Sequence, residues 1–221
     1  MSRCPDRPLI TNPRALWLLA SLSIVTASTQ GYAATWYLSP SGDDGNPGTQ
    51  AAPMFSLNRA WQMVAAGDTI VMRGGTYAYN QMQYLQQKNG TPGQLIKVWA
   101  APGETPVITR GPLFNDDTNN QDLIYLEANY VHFKGLEIAN NPQVPGKPVS
   151  SWSAFRAGFS SHSIFELINY HHNAAGFSIR GDSTDTLILN SDFHHNQDPY
   201  SQTPYDGADG LDLNFNPGEA N

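Results

Sequence analysis

The chain has 221 residues, with 12 Lys and Arg against 19 Asp and Glu and a formal net charge of −7. That length supplies one domain's core, and the acidic balance, with no Lys or Arg after Arg180, argues against a nucleic-acid partner, since phosphate contacts need basic side chains. The one cysteine, Cys4, excludes a disulfide framework, so an exported fold must rely on a large regular core.

Residues 1–33 read as a secretory leader. Arg3, Arg7 and Arg14 precede the apolar run "ALWLLASLSIV", and "GYAA" places Gly31 and Ala33 at the small-residue positions of a cleavage after Ala33. An apolar run of about 11 residues is too short to span a bilayer core of roughly 30 Å. The expectation is a secreted mature domain over residues 34–221, extracellular or periplasmic, with no membrane association after cleavage.

The mature part opens with a short strand, Thr35 to Leu38, and a Gly/Pro/Asp loop. Leu57, Ala60, Trp61 and Val64 in "SLNRAWQMVAA" then follow the i, i+3, i+4, i+7 spacing of a one-sided helix. Ser56 or Asn58 is placed to cap it and Gly67 to end it. "DTIVMRGGTY" reads as a strand that stops at Gly74-Gly75.

Helical periodicity then gives way to short apolar or alternating segments separated by turn residues: "LIKVWA", "PVIT", "LIYLEA", "VHFKGLEI", "SIFELI", "GFSIR", "TLILN" and "GLDLN". Such a run suits a sandwich, a barrel or a solenoid, and a repeat decides among them. "IFELINYHHN" aligns with "LILNSDFHHN" at a constant offset, putting Tyr170 over Phe193, His171 over His194, His172 over His195 and Asn173 over Asn196. A longer offset carries "GFSIR" to "GLDLN". Coils of that length with like residues stacked about 4.8 Å apart belong to a β-solenoid. The predicted fold is all-β, a right-handed parallel β-helix whose N-terminal end is covered by the Leu57–Val64 helix, which shields an open edge.

Asp206, Asp209 and Asp212 crowd together in "PYDGADGLDLN", with Gly207 and Gly210 between them. Oxygen donors on a glycine-hinged segment suit calcium, which takes six to eight oxygens. If Leu211 and Leu213 face a core, Asp212 points the other way and Asp209 sits in the bend before the strand. Aspartates beside glycines also serve as Asx-turn residues, and that reading stays open. The two "HHN" tracts supply four histidines with transition-metal potential, although stacking of equivalent coils explains their register without it. "DDGNPG" (Asp43 to Gly48) lacks the spacing of an EF-hand and reads as a surface turn. Trp99, Trp152, Tyr200 and Tyr205 are candidates for ring stacking on a ligand, with core or turn packing as the alternative.

The blocks "YLSPSGDDGNPGTQAAP", "AAGDTIVMRGGTY", "GTPGQLIKVWAAPGETPVITRG" and "YVHFKGLEIANN" are similar to the first coils of β-helical polysaccharide lyases. "HHNQDPYSQTPYDGADGLDLNFNPGEAN" more specifically resembles the "ADG" segment of polysaccharide lyase family nine, the pectate lyases. The resemblance implies calcium-dependent β-elimination on polygalacturonate, an acidic polysaccharide, with Asp209 as a calcium ligand; Asp206 and Asp212 are helper candidates from their place in the segment alone, with the Asx-turn reading ahead for both. It implies further ligands on a later "DDGWD"-like coil and a lysine base beyond Asn221, so the chain as it stands is expected to be inactive alone. The family's usual lysine is replaced here by Asn214. An alginate- or glycosaminoglycan-directed lyase of the same architecture and a non-catalytic polysaccharide-binding β-helix are the alternatives. A monomer is expected, with Leu211, Leu213 and Phe215 exposed at the last coil.

Overall fold

The computed structural model describes residues 1, 32–114, 122–144, 153–181, 183–197 and 210–214. The leader expected over residues 1–33 lies almost wholly outside them. The described chain is an ascending coil. It starts with β1 (Thr35–Leu38) and the helix α1 (Leu57–Met63). Five turns of three strands follow: β2 (Thr69–Met72), β3 (Gly75–Tyr79), β4 (Gln83–Gln86); β5 (Ile96–Ala100), β6 (Pro106–Arg110), β7 (Ile124–Glu127); β8 (Val131–Lys134), β9 (Glu137–Ala139), β10 (Ser153–Gly158); β11 (Ile164–Glu166), β12 (Asn169–His171), β13 (Ala175–Arg180); and β14 (Leu187–Leu189), β15 (Asp192–His194), β16 (Leu211–Asn214).

Strands at the same place in each turn pair in parallel. The first sheet runs β1-β2-β5-β8-β11-β14, the second β3-β6-β9-β12-β15, and the third β4-β7-β10-β13-β16. That is a parallel β-helix, as the sequence predicts. The constant offset of the "HHN" tracts holds between the last two turns: Ile164 pairs with Leu187, Tyr170 with Phe193 and His171 with His194. The extended offset holds too, since Phe177 pairs with Leu211 and Arg180 with Asn214. Earlier turns are longer and unequal, with Thr69 paired to Lys97, Ile96 to Val131 and His132 to Ile164.

Alternation sends every second side chain inward. One inward column of the first sheet is Ile70, Val98, Phe133, Phe165 and Ile188. Phe133 and Phe165 stack within 9° of parallel, and Phe177 closes on Phe165 at 4.6 Å. Each fully buried phenylalanine contributes about 1.5–3 kcal/mol by leaving water. Polar ladders run alongside: the Asn173 side-chain oxygen accepts from the Asn141 N–H, and Asn196 accepts from the Asn173 N–H.

Corners between the first and second sheets need one left-handed residue. Gly135, Leu167 and Asn190 fill that place in three successive turns, with φ of 73°, 55° and 48°.

The helix forms as expected and ends earlier. The Ser56 side chain accepts from the Arg59 N–H and caps it. Val64 turns extended, so the helix stops before Gly67, which has φ 91° in the following turn. Leu57, Ala60 and Trp61 are buried in the common core, and the Trp61 indole N–H donates to the Gln86 carbonyl at the end of β4. The helix therefore lies on the first turn. The strand of "DTIVMRGGTY" ends at Met72, just before Gly74-Gly75, as the sequence predicts, and Gly75 opens β3. "DDGNPG" is a structural turn: Asp43 accepts from the Gly45 N–H, and Asp44 accepts from the Ser56 hydroxyl and from the N–H groups of Phe55 and Ser56.

Candidate functional site

The third sheet carries the tail segment, because β16 is its last described strand. Phe177 pairs with Leu211 and Ile179 with Leu213, which puts both leucines on the core side of the sheet and Asp212 on the outer side beside Ser178. Leu211 and Leu213 are nonetheless exposed at this last turn, where they line a cavity of about 480 Å³ with Ile179 and Ile188. Asp206, Asp209 and Phe215 lie outside the described residues, as do Trp152, Tyr200 and Tyr205. Gly210 is the first described residue after Asp209.

Outward columns on this sheet follow the same register. Tyr84, Tyr125, Arg156, Ser178 and Asp212 occupy one position in five successive turns, and Glu127, Gly158 and Arg180 another. Arg180 Nη2 lies 2.8 Å from Asp212 Oδ2, and Arg180 Nε donates to the Ser178 hydroxyl at 2.9 Å. One turn below Arg180, Arg156 Nε stands 2.8 Å from Asp122 Oδ2, an ion-pair contact without hydrogen-bond alignment. Asp122 is fully buried and its other oxygen accepts from the Ser153 N–H. Burial pulls the Arg156 guanidinium below its ordinary pKa, with the Asp122 charge opposing. An uncompensated arginine there would be costly, and the aspartate keeps it ionised.

The far end of the face is aromatic. The Tyr84 and Tyr125 rings meet edge to face at 5.0 Å, and the Tyr84 hydroxyl donates to Glu127 at 2.9 Å. Partial burial and that bond push the Tyr84 phenol up to about 12. Along this face an edge-to-face tyrosine pair is thus followed by two guanidiniums, each ion-paired with an aspartate.

The sequence-derived candidates fare differently. Asp212 is brought to the outer face and into contact with Arg180. The four histidines of the "HHN" tracts come together on adjacent turns of the second sheet: His171 stacks on His194 at 5.0 Å and His172 on His195 at 5.3 Å. Trp99 is on the first sheet, edge-on to His132 at 5.3 Å, with the Lys97 ammonium 5.1 Å from its ring centroid. It is packed among charged neighbours rather than presented as a shelf. Among the described residues, no group of three or more His, Cys, Asp or Glu is placed to hold a metal ion. With Asp212 paired to Arg180, these residues do not make up a calcium cage.

Sequence reasoning missed Arg156, Asp122 and Arg180. Asp122 and Arg156 lie far apart along the chain and share no motif. Arg180 was within reach, because the offset from "GFSIR" to "GLDLN" already sets Arg180 beside the strand that holds Asp212.

Comparison with known proteins agrees with this architecture. Pectate lyase PEL9 of Emericella nidulans is 28% identical over 218 residues, covering 94% of this chain and 49% of its own. The crystal structure of pectate lyase Pel9A superposes with a TM-score of 0.62 at 27% identity, over 82% of this chain and 46% of that one. A rhamnogalacturonan lyase, at 21% identity and a TM-score of 0.68, covers 83% of this chain and 51% of its own, and shares the fold. The chain thus spans about half the length of the relatives it matches. Residues 36–221 match the model of the Pel9A-like right-handed β-helix region, and the chain belongs to that family.

Proposed function

We propose that the chain forms part of a secreted, calcium-dependent pectate lyase that cleaves polygalacturonate by β-elimination. The observation that carries this reading is the similarity to pectate lyase PEL9 along 94% of the chain. In this reading the third sheet's outer face receives the polymer, Asp209 ligates the ion, Asp206 assists, and Asp212 joins only by exchanging its Arg180 partner.

The charges at that face support the need for a cation. Asp122, Glu127 and Asp212 stand against Arg156 and Arg180, so a polymer of carboxylates meets a face that is not positive by itself. A divalent ion reverses the local sign. The base is a residue other than the described lysines of the first sheet: Lys134 is ion-paired with Glu166 at 2.9 Å, and Lys97 packs on Trp99.

The test is incubation with polygalacturonate and calcium, following ultraviolet absorbance of unsaturated uronate. The chain is expected to bind the polymer only with calcium, to lose that binding in Asp209→Ala, and to release no product. Chelator-sensitive turnover by this chain alone overturns the assignment of the base elsewhere. Polymer binding indifferent to calcium and to Asp209→Ala overturns the site.

A further inference from the structure

Stacking of equivalent turns explains why His171 lies on His194 and His172 on His195, each ring pair within 10° of parallel. It does not explain the contact within each turn. His171 Nδ1 is 2.7 Å from His172 Nδ1, and His194 Nδ1 is 2.6 Å from His195 Nδ1, with rings at 85° in both pairs. Two imidazole nitrogens that close share either a proton or a cation. Two bare lone pairs, or two N–H groups, repel.

Backbone conformation builds these clefts. His172 and His195 adopt φ of 56° and 53°, a left-handed turn directly after β12 and β15 that folds the second ring back against the first. Asn140 makes the same turn one coil earlier, with φ 58°, but its neighbour is Ala139, so the histidine pairs begin at β12. Glu137 then sets the tautomer. Its Oε1 lies 3.0 Å from His171 Nε2, so Nε2 carries the hydrogen and Nδ1 of the neutral ring presents a lone pair. Register places Asp192 in the column of Glu137 and Asn169, just ahead of His194.

We propose that the two Nδ1–Nδ1 clefts are surface sites for a divalent transition metal, Cu²⁺ or Ni²⁺, with water completing the coordination. At metal–nitrogen distances of about 2.0–2.1 Å, donors about 2.7 Å apart subtend roughly 80–85° at the ion. That is close to the right angle of tetragonal Cu²⁺ and Ni²⁺ sites. A tetrahedral ion needs its donors about 3.3 Å apart, so zinc binds more weakly. Glu137 on His171 Nε2 is the carboxylate that orients a ligating imidazole. His172, His194 and His195 are exposed, so the ions reach the nitrogens from solvent. Each cleft offers two protein donors; as the ion enters, the hydrogen held between the two Nδ1 atoms passes to Nε2 of the same ring, so both neutral imidazoles present an Nδ1 lone pair.

The experiment is calorimetric titration of the untagged chain with Cu²⁺, Ni²⁺ and Zn²⁺. Expected is affinity in the order copper, nickel, zinc. His172→Ala/His195→Ala should weaken copper binding at least tenfold with unchanged circular dichroism. His162→Ala, whose ring stacks on Tyr130, should leave it unchanged. No binding, or a double variant that binds like the parent, overturns the proposal. Electron paramagnetic resonance of the copper-loaded parent gives a readout independent of any variant: a spectrum without imidazole-nitrogen hyperfine structure overturns it equally.

Discussion

Asn196 Oδ1 accepts two hydrogen bonds from Asn173, one from its backbone N–H at 3.1 Å and one from its side-chain Nδ2 at 3.2 Å. Asn173 also donates to the Ile138 carbonyl at 3.0 Å and accepts from the Asn141 N–H at 3.0 Å, so it ties three turns together at a site almost wholly buried. Replacing it by alanine removes the partners of buried backbone groups, and an unmade buried bond costs about 1–3 kcal/mol. Asn173→Ala is therefore expected to lower unfolding free energy by about 2–3 kcal/mol in urea denaturation. A loss below about 0.5 kcal/mol would show that water replaces the ladder.

The corner between the first and second sheets offers a stabilising change. Leu167 holds φ 55° with its side chain half exposed, whereas the turns before and after use Gly135 and Asn190. A left-handed conformation costs an ordinary L-residue roughly 1–2 kcal/mol, and asparagine is relieved of part of this by local hydrogen bonding. Leu167→Asn is expected to stabilise by about 0.5–1 kcal/mol, raising the thermal midpoint by a few degrees. A lowered midpoint would mean that the leucine's remaining apolar contacts outweigh the backbone term.

The same corners show what the sequence discloses. The offset between the two His-His-Asn tracts was visible because stacked turns favour like residues at matched places, and those tracts are the densest instance. β10 was not visible: "SAFRAG" is buried on nearly every residue, so it lacks alternation. The longer, unequal steps hid the lower turns, since inserted loop length erases a fixed period while leaving the strand register intact. At the candidate site Asp212 was legible from alternation alone, whereas its pairing with Arg180 is long-range, and the Asp122–Arg156 contact needs the three-dimensional register of β7 and β10.

Acidity should weaken the fold through His132. Burial holds its imidazole below the ordinary 6.5, and the hydrogen bond to Glu166 at 3.0 Å only partly offsets this, while Lys134 and Lys97 add to the lowering. With a depressed folded pKa, the unfolded chain takes the proton first, so stability is complete above about pH 6.5 and falls as pH drops below it. Glu166, held below its usual range chiefly by the Lys134 hydrogen bond, loses its contribution only at lower pH. Urea midpoints at pH 7.5 and 5.5 should therefore differ in the parent and converge in His132→Gln. Equal pH dependence in both proteins would place the acid sensitivity on other groups.

The last turn is held by a close backbone approach at Gly176. The Phe177 N–H donates to the Gly210 carbonyl at 3.0 Å, and a Cβ on Gly176 would collide with that same carbonyl oxygen. The obstacle is main chain, so no side-chain rotation relieves it, and β16 must move away from β13. Gly176→Ala should thus release the strand that carries Asp212 while leaving the lower turns paired. Hydrogen exchange reads this directly: the Phe177 amide loses protection by at least tenfold, and the Val98 and Phe133 amides in the first sheet keep theirs. Since β16 follows Asp209 in sequence and carries Asp212, releasing it takes the proposed ligands away from the third sheet, so any calcium-dependent polymer binding should weaken with it. Unchanged protection at Phe177 would mean that the third sheet accommodates the methyl group, and that the glycine is not what seats the final strand.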